Sequence, residues 1–295
     1  MSNEKKLCAK RLCIFLLLAF GLAWIPWIIM NKLIGYEEWF STSHYALFAI
    51  PTIYAPALAN LLTRIITKEG FSDMKLHLRL KGSRKYYLAA WLVIPVVSVA
   101  GMVIFNCVYG HWDFAEIQER LTFADGLTAV LSVLGIAPLV AFNTFGEEFG
   151  WRAYMNQKME PLLGTTGTVI VGGTLWGIWH APLTVEGHNF GKDYPGYPYV
   201  GILMMILLCT AMGAFFMWLT KRTDSVYPAA IAHAINNNGG QALGTILLLN
   251  GVGDIEKYQM RTAENIVMQI PLYIAGAIAL ILMLKKQKPV SQAAP

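Results

Sequence analysis

The chain has 295 residues, of which 56% are hydrophobic and only 14% are charged, and its formal net charge is +5. Because soluble domains carry about 25% charged residues, this composition excludes an ordinary soluble fold and indicates a polytopic membrane protein. Lys and Arg mark loop topology in such proteins, so the positive charge does not indicate a nucleic-acid partner. The four cysteines show neither metal-binding nor disulfide spacing and are expected to be reduced.

Eight hydrophobic runs follow one another along the chain, at about Leu12–Met30, Tyr45–Ile66, Tyr86–Tyr109, Leu127–Phe145, Thr168–Pro182, Tyr199–Leu219, Ala229–Leu249 and Ile266–Leu284. A helix needs about 20 mainly apolar residues to cross a bilayer. The sequence therefore predicts an all-α fold, a polytopic membrane helical bundle of about eight transmembrane helices. No repeat or soluble domain interrupts it, so residues 1–295 are predicted to form a single integral membrane domain.

Basic residues concentrate at the amino terminus and in the connections after the second, fourth, sixth and eighth runs. The intervening connections hold only one or two Lys or Arg residues each. Since basic residues collect on the cytoplasmic side of a membrane, both termini are predicted to be cytoplasmic. An even number of spans leads to the same prediction.

The connection after the second run contains an alternating segment, residues 74–81, in which Met or Leu alternates with Lys, His or Arg. A period of two is typical of extended chain, and the basic residues predict that the segment lies on lipid headgroups. The alternative is an exposed strand edge that pairs with an extended peptide.

Two adjacent carboxylates, Glu147 and Glu148, follow the apolar run Leu127–Phe145. An ionisable group inside a membrane costs about 2.5–3.5 kcal/mol on insertion scales and indicates a functional site. Arg152 follows Glu148 by four residues, which places the two on one helix face and predicts an ion pair. Glu147 points elsewhere, and a carboxylate without a cationic partner suits a general acid or base. The alternative is that both carboxylates cap a helix or lie among the headgroups.

Two of the six histidines, His180 and His233, lie inside apolar runs, and Asn237 follows His233 by four residues on the same helix face. The other four lie in connections and are expected to be solvated: His44, His77, His111 and His188. A histidine in a membrane often only bonds neighbouring helices. Together with Glu147, however, these residues can deprotonate a water and stabilise an oxyanion, which peptide hydrolysis requires.

The order and spacing of these residues resemble the motifs of the CPBP family of intramembrane proteases. This family includes type II CAAX prenyl endopeptidases and bacterial bacteriocin-processing and immunity proteins. The matching elements are Glu147-Glu148-x-x-x-Arg152, Trp176-x-x-x-His180 and His233-x-x-x-Asn237. The resemblance covers about Pro138 to Leu249 and implies a protease core at about 127–250. One departure is Trp176, because the family usually has Phe there.

The resemblance implies that Glu147 and His180 activate the attacking water. His233 and Asn237 would stabilise the oxyanion. Supporting residues would be Glu148, Arg152 and Trp176. Zinc held by Glu147, His180 and His233 would fit a site of two histidines and one carboxylate, although the commonest zinc-protease signature, H-E-x-x-H, is absent. A metal-free activated water is equally compatible.

The resemblance predicts an intramembrane endopeptidase that cuts a peptide or a membrane-protein tail, with the bilayer as its surroundings. Its location is predicted as the bacterial plasma membrane, with the active-site cavity open to the cytoplasm. One alternative is a non-catalytic scaffold or a bacteriocin-immunity or regulatory protein, whose interior polar groups hold helices together. A weaker alternative is a proton-coupled transporter, since membrane Glu and His also build proton relays.

The depths of the site residues constrain the fourth helix. At about 1.5 Å per residue, His180 lies deep from the cytoplasmic side, whereas Glu147 lies at that surface if the helix begins at Leu127. A shared site requires comparable depth. We therefore expect this helix to run from about Pro138 towards Met159, with Glu147 inside the bilayer.

Overall fold

The computed structural model describes residues 2–41, 50–109, 141–237 and 262–285, with isolated helical positions at 127, 131 and 135. The described chain consists of helices, turns and irregular segments, and no strand occurs within it. The all-α prediction is therefore confirmed for this part of the chain.

The helices are α1 (Asn3–Leu33), α2 (Tyr36–Ser41), α3 (Ile50–Ile53), α4 (Ala55–Ile66), α5 (Arg84–Tyr109), α6 (141–163), α7 (165–179), α8 (Ala181–Thr184), α9 (Tyr199–Thr223), α10 (Tyr227–Ile235) and α11 (Thr262–Leu284). α9 packs against α10, α11 and the α6–α7 segment. α5 packs against α11, and α1 packs against α4 and the α6–α7 segment.

Local sequence explains several helix ends. α1 begins after Ser2, whose hydroxyl accepts a hydrogen bond from Lys5 N at 3.3 Å and acts as the N-cap. It ends just before Gly35, whose φ of 91° is a left-handed conformation that glycine adopts readily. α10 begins with Pro228 in its first turn, where the missing N–H costs nothing.

Five helical stretches of the described chain are long and apolar enough to cross a membrane: Asn3–Leu33, Arg84–Tyr109, Ala141–Trp179, Tyr199–Thr223 and Thr262–Leu284. The chain is therefore an integral membrane protein. The predicted runs Tyr45–Ile66, Leu127–Phe145 and Ala229–Leu249 each extend into residues outside the described ranges. The count of eight spans and the cytoplasmic termini stay predictions.

The stretch Ala141–Trp179 is a hairpin of α6 and α7. Gly164 separates the two helices with φ 69° and ψ 176°, a non-helical conformation. Contacts then run in reverse order, because Met155 of α6 lies beside Gly172 of α7 and Glu147 bonds to Trp176. The start of α6 therefore lies beside the end of α7.

The antiparallel course of α6 and α7 explains how Glu147 and His180 can lie close together. α6 extends to residue 163, past the expected end near Met159, and Glu147 lies in its second turn. His180 follows the last residue of α7 directly, so the antiparallel arrangement brings both residues to the same end of the hairpin. The depth of Glu147 in a bilayer stays a prediction.

Two glycines allow α6 to approach the start of α4 and the residue that precedes it. A Cβ added to Gly150 would lie 2.3 Å from Pro56 Cβ and 2.6 Å from Pro56 O, and one on Gly146 would lie 3.0 Å from Tyr54 Cα. Spacing by four places both glycines on one helix face, the small-xxx-small pattern of close helix packing. These glycines flank Glu147 and Glu148 and thereby position the carboxylates.

A second glycine pair holds α7 against α9. Added Cβ atoms on Gly173 and Gly177 would lie 2.4 Å from Thr210 Cα and 2.5 Å from Ile206 Cα. The same spacing of four residues again indicates close contact between helices. This contact sets the position of Trp176, one residue before Gly177.

Gly150→Ala is expected to lower the free energy of unfolding by about 1–3 kcal/mol, the usual cost of overpacking, because Pro56 occupies the space of the new methyl group. Gly21→Ala is a matched control, since Gly21 lies inside α1 with no atom within 4 Å of an added Cβ. This control should be stabilising by up to about 1 kcal/mol. Thermal unfolding in one detergent compares the two variants, and equal midpoints would contradict the close approach of α6.

Indole groups join α1 to α7 next to His180. Trp24 Nε1 donates to Trp179 O at 2.8 Å, and Trp179 Nε1 donates to Ala19 O at 3.1 Å. The Trp27 and Trp179 ring centroids lie 4.6 Å apart. Because these buried N–H groups are satisfied by carbonyls, Trp179 is held firmly and positions the residue that follows it.

The alternating segment 74–81 is not a continuous extended strand. Lys75 and Arg79 have φ values of 61° and 47°, which interrupt the predicted period of two. Both side chains form ion pairs with Asp224, and Lys75 O accepts from Val226 N at 3.0 Å. These contacts fasten the segment to the turn between α9 and α10, which outweighs the extended preference of the alternating sequence.

Candidate active site

Glu147 is a buried carboxylate near the start of α6. Trp176 Nε1 of α7 donates to Glu147 Oε2 at 2.8 Å, and no other group of the described chain hydrogen-bonds this side chain. Thr144, one turn earlier, donates to Ala230 O of α10 at 2.7 Å, which fixes α6 against α10. Glu147 also interacts electrostatically with His233 on α10. The structure therefore brings Glu147, Trp176 and His233 together.

Glu148 lies between two cationic or protonatable partners and is fully buried. Glu148 Oε2 lies 3.1 Å from Arg152 Nε, so the predicted ion pair is confirmed. Glu148 Oε1 accepts from His233 Nδ1 at 2.9 Å, a bond that the sequence did not reveal because the two residues are 85 positions apart. Glu148 therefore connects α6 to α10 and does more than pair with Arg152.

Arg152 is held mainly by charge and aromatic rings. Within the described chain, Arg152 Nε and Nη2 have no aligned hydrogen-bond acceptor, despite the ion pair with Glu148. The guanidinium carbon lies 4.2 Å from the Trp176 ring centroid and 5.5 Å from that of Phe216. Cation–π contacts of this kind are strongest when they are desolvated. Trp176 thus contacts both Arg152 and Glu147.

A π-helical turn, Trp151–Met155, interrupts α6 directly after the carboxylates, and its residues are all buried. Single π turns inside α-helices are frequent at functional sites. Sequence reasoning missed this turn, because the local sequence gives no recognised signal for it. The four-residue spacing of the glycine pairs that begin at Gly146 and Gly173 is the sequence signal for the close packing of the site.

His180 lies beside Glu147's partner Trp176. His180 Nδ1 lies 2.9 Å from Trp176 O, and since a carbonyl can only accept, Nδ1 donates. A neutral His180 ring therefore has Nε2 free as an acceptor. Its ring centroid lies 4.9 Å from that of Trp179 and 6.0 Å from that of Trp176. No direct hydrogen bond joins His180 to Glu147 within the described residues; Trp176 contacts both.

His233 is buried among aromatic rings. Its centroid lies 5.3 Å from that of Trp176 in an edge arrangement and 5.5 Å from that of Phe216 in a stacked one. Because Nδ1 donates to the Glu148 carboxylate, Nε2 is the remaining reactive atom, an acceptor when the ring is neutral and a donor when it is protonated.

Asn237 lies apart from this group in the described structure. Its side chain is exposed, and its Oδ1 accepts from Asn236 Nδ2 at 3.2 Å. α10 ends at Ile235, so the four-residue spacing from His233 does not continue on an α-helix. Residues 238–261, which follow directly, lie outside the described ranges. The role of Asn237 stays a prediction.

The zinc site predicted from Glu147, His180 and His233 stays a prediction. No group of three His, Cys, Asp or Glu residues that could hold a metal ion occurs in the described ranges. Glu147, His180 and His233 share Trp176 as a neighbour. The chemistry below is derived from the side chains of the chain itself.

A polar cavity of about 240 Å³ reaches Arg152 from the turn after α9. Its lining includes Lys75, Asp224 and Thr220, and the buried Thr220 hydroxyl has no hydrogen-bond partner in the described chain. A cavity of this volume and polarity accommodates several waters. Arg152 is the residue of the site that lines this cavity.

His188, expected to be solvated, is instead half-buried between α8 and α9. Its Nδ1 bonds the Tyr36 hydroxyl at 2.9 Å, and the rings form an edge contact at 6.3 Å. Burial lowers the pKa of His188 from its ordinary 6.5 to about 4. The prediction from its position in a connection was wrong, because α2 and the loop after α8 pack over this residue.

Stability is expected to fall as the pH drops from about 6.5 to about 4. Below 6.5 the unfolded chain binds a proton at His188, whereas the folded chain, with its lowered pKa, does so only near pH 4. The loss attributable to this residue should reach about 2 kcal/mol near pH 4.5. Thermal unfolding of wild type and His188→Gln at pH 7 and 4.5 measures it. The exposed His77, changed to Gln, is the control; identical pH dependence in both variants would contradict the prediction.

A comparison with protein families matches residues 129–239 to the family described as "Type II CAAX prenyl endopeptidase Rce1-like". The match contains every residue of the proposed site, from Glu147 on α6 to Asn237 after α10. Because this is a protease family, the match supports the prediction that the chain is a protease.

Curated relatives include lysostaphin resistance protein A of Staphylococcus epidermidis, which is 26% identical over 61% of this chain and 43% of that protein. The protein of the same name from Staphylococcus haemolyticus is 26% identical over 62% of this chain and 46% of that protein. The chain thus spans less than half the length of these relatives. Together with the family match and the clustering of Glu147, Glu148, Arg152 and His233, these similarities support the predicted resemblance to the CPBP family of intramembrane proteases.

Proposed function

We propose that the chain is an intramembrane endopeptidase that hydrolyses a peptide bond in a peptide or a membrane-protein tail. The observation that carries the proposal is that Glu147 is buried and that its side chain accepts a hydrogen bond from Trp176. Its neighbour Glu148 is committed to Arg152 and His233. Glu147 is equally buried, yet within the described chain only the neutral Trp176 indole holds it. A buried carboxylate positioned by one donor and not neutralised suits a general base.

In the proposed reaction, Glu147 takes a proton from a water whose oxygen attacks the peptide carbonyl carbon. His180 Nε2, an acceptor when the ring is neutral, orients the same water through its other proton. The C–N bond then breaks, and Glu147 returns the proton to the departing nitrogen. General acid–base catalysis of this type contributes about 10²–10⁴-fold to a rate. Trp176 would hold Glu147 in one orientation throughout.

The oxyanion is proposed to form beside His233. When His233 is protonated, it adds a positive charge beside the pair of Glu148 and Arg152. Nε2–H of His233 is then a donor for the oxyanion, while Nδ1–H stays with Glu148. Donors placed where charge develops are usually the largest catalytic contribution. Asn237 is proposed as a second donor.

The proposed location is a bacterial plasma membrane with both termini cytoplasmic. The polar cavity beside Arg152 would open to the cytoplasm, since its rim includes Lys75 and Lys221 and basic residues mark that side. The relatives come from bacteria, which agrees with this location.

A second candidate is a non-catalytic membrane protein that protects its host. The name of the relatives, lysostaphin resistance protein A, describes resistance and does not state an activity. Moreover, the contacts among Glu148, Arg152 and His233 would hold α6 to α10 without any reaction.

The two candidates are separated by comparing cells that express the full chain with cells that express Glu147→Gln. An endopeptidase produces carboxy-terminal fragments that are present with the wild type and absent with the variant, as measured by mass spectrometry of peptide termini. A non-catalytic protein gives identical termini in both. The latter result, at equal expression, would refute the protease.

A further inference from the structure

A second polar recess lies away from the site, where α5 begins and α9 and α11 end. This groove has a volume of about 310 Å³ and is lined by Lys85, Tyr86, Trp218, Arg222 and Leu282. None of these residues contacts Glu147, Glu148 or the histidines in the interactions described above.

The groove carries two positive charges without a described counter-charge. Neither Lys85 nor Arg222 forms an ion pair with a carboxylate of the described chain. Arg222 Nη2 donates to Leu282 O at 2.8 Å, which uses one of the five N–H groups of the guanidinium. In contrast, the adjacent Lys221 pairs with Glu160. Among the described residues, the groove therefore presents two positive charges without an ion-pair partner.

The groove also contains an unsatisfied hydrogen-bond donor. The Trp218 indole N–H is buried and has no acceptor in the described chain. Tyr86 contacts the Trp218 ring edge-on at 5.3 Å, and the Lys85 ammonium lies 5.2 Å from the Tyr86 ring centroid. An indole N–H can only donate, so its missing partner is an acceptor. An acceptor that also neutralises Lys85 and Arg222 is an anion.

The surroundings of the groove are those of a membrane interface. Lys85 lies in the first turn of α5, and Arg222 and Leu282 lie in the last turns of α9 and α11, three helices long and apolar enough to cross a membrane. Trp and Tyr are enriched at this level of membrane proteins. Exposed apolar side chains continue from the groove along α5 and α11, including Leu88 and Ile278. An anion with an apolar tail fits both the basic groove and the exposed apolar side chains beside it.

We propose that this groove binds the phosphate of an anionic phospholipid. The phosphate oxygens would accept from Trp218 Nε1, Lys85 Nζ and the Arg222 guanidinium, and the acyl chains would lie along the exposed apolar side chains of α5 and α11. Basic pockets between membrane helices are known to hold anionic headgroups. Because α9 also carries Phe216, which contacts Arg152 and His233, a lipid bound here would stabilise the helix that supports the site.

The test uses the full chain purified in detergent, with dioleoyl phosphatidylglycerol, dioleoyl phosphatidylcholine and inorganic phosphate as separate probes. Native mass spectrometry gives the apparent Kd for each lipid, and thermal unfolding reports the effect of each probe on stability. Phosphatidylglycerol is expected to bind and to raise the unfolding temperature. Phosphatidylcholine should bind more weakly, since its choline offsets the phosphate charge, and inorganic phosphate should have no effect.

Three variants locate the binding site. Lys85→Met should weaken phosphatidylglycerol binding about fivefold, the loss expected for one basic group near an anionic lipid. Trp218→Phe, which keeps an aromatic side chain but removes the indole N–H with part of the fused ring, should weaken it about tenfold by removing a charge-assisted hydrogen bond. Lys10→Met, at an exposed position on α1, removes the same charge outside the groove and should change binding less than about twofold.

Equal effects of Lys85→Met and Lys10→Met, with Trp218→Phe unchanged, would overturn the proposal. Equal binding of the two lipids would do the same. If inorganic phosphate stabilises the wild type as much as phosphatidylglycerol does, the groove binds a soluble anion, and the proposal of a lipid site is overturned. Trp218→Phe changes no charged group, so the test does not depend on whether Lys85→Met folds.

Discussion

Glu147→Gln is expected to reduce the turnover of a susceptible peptide by about 10²–10⁴-fold, the range for loss of a general base, while the chain stays folded. Glutamine keeps an oxygen that can accept from Trp176 Nε1, so the observed 2.8 Å bond has a replacement. The amide cannot take a proton from water. Moreover, burying an amide costs less than burying a carboxylate, so the free energy of unfolding should not fall. Initial rates in proteoliposomes and thermal unfolding measure the two quantities.

Glu160→Gln is the matched control, because it is the same substitution on the same helix. Glu160, however, pairs with Lys221 at the edge of the bundle. Its turnover should stay within about twofold of the wild type. A zinc chelator added to the wild type separates metal chemistry from the proposed metal-free water. If Glu147→Gln keeps wild-type turnover, Glu147 is not the base.

Interactions between near neighbours in sequence were predictable. The pair of Glu148 and Arg152 follows from helix periodicity, because four residues complete about one turn wherever the helix lies. The transmembrane course of α5 and α9 follows in the same way from their continuous apolar runs. The ordered motifs around His180 and His233 indicated the resemblance to a family for the same reason: each motif is confined to one helical segment.

Interactions between helices required the folded chain. The bond between Glu148 and His233 depends on how α6 packs on α10, which no local pattern specifies. The role of Trp176 also depends on packing between helices, because its indole N–H donates to Glu147 on the neighbouring helix. Burial also depends on packing between elements: Arg64, in the last turn of α4, is buried and bonded to Asn60 and Asp73.

Arg152→Met is expected to lower the free energy of unfolding by about 3–5 kcal/mol, the usual cost of leaving a buried charge without its partner. The side chains of Glu148 and Arg152 are almost fully buried, so water cannot replace the lost charge. The His233 bond alone would then have to hold Glu148. Methionine fills much of the space beside Trp176, which limits the cavity contribution. Chemical unfolding in one detergent measures the change.

The double variant Glu148→Gln with Arg152→Met should recover most of this loss, because it removes the uncompensated charge and leaves an oxygen to accept from His233 Nδ1. Recovery in a double-mutant cycle separates the charge from the loss of the Arg152 contacts with Trp176 and Phe216. If stability is not recovered, the aromatic contacts hold Arg152. As a control, Lys192→Met breaks the exposed pair with Glu186, whose side chains are 54% and 31% exposed, and should cost less than about 1 kcal/mol. The difference between Arg152→Met and Lys192→Met tests whether burial makes the pair of Glu148 and Arg152 essential to the fold. If it does, Glu148 has a structural role and Glu147 is the carboxylate that remains for catalysis.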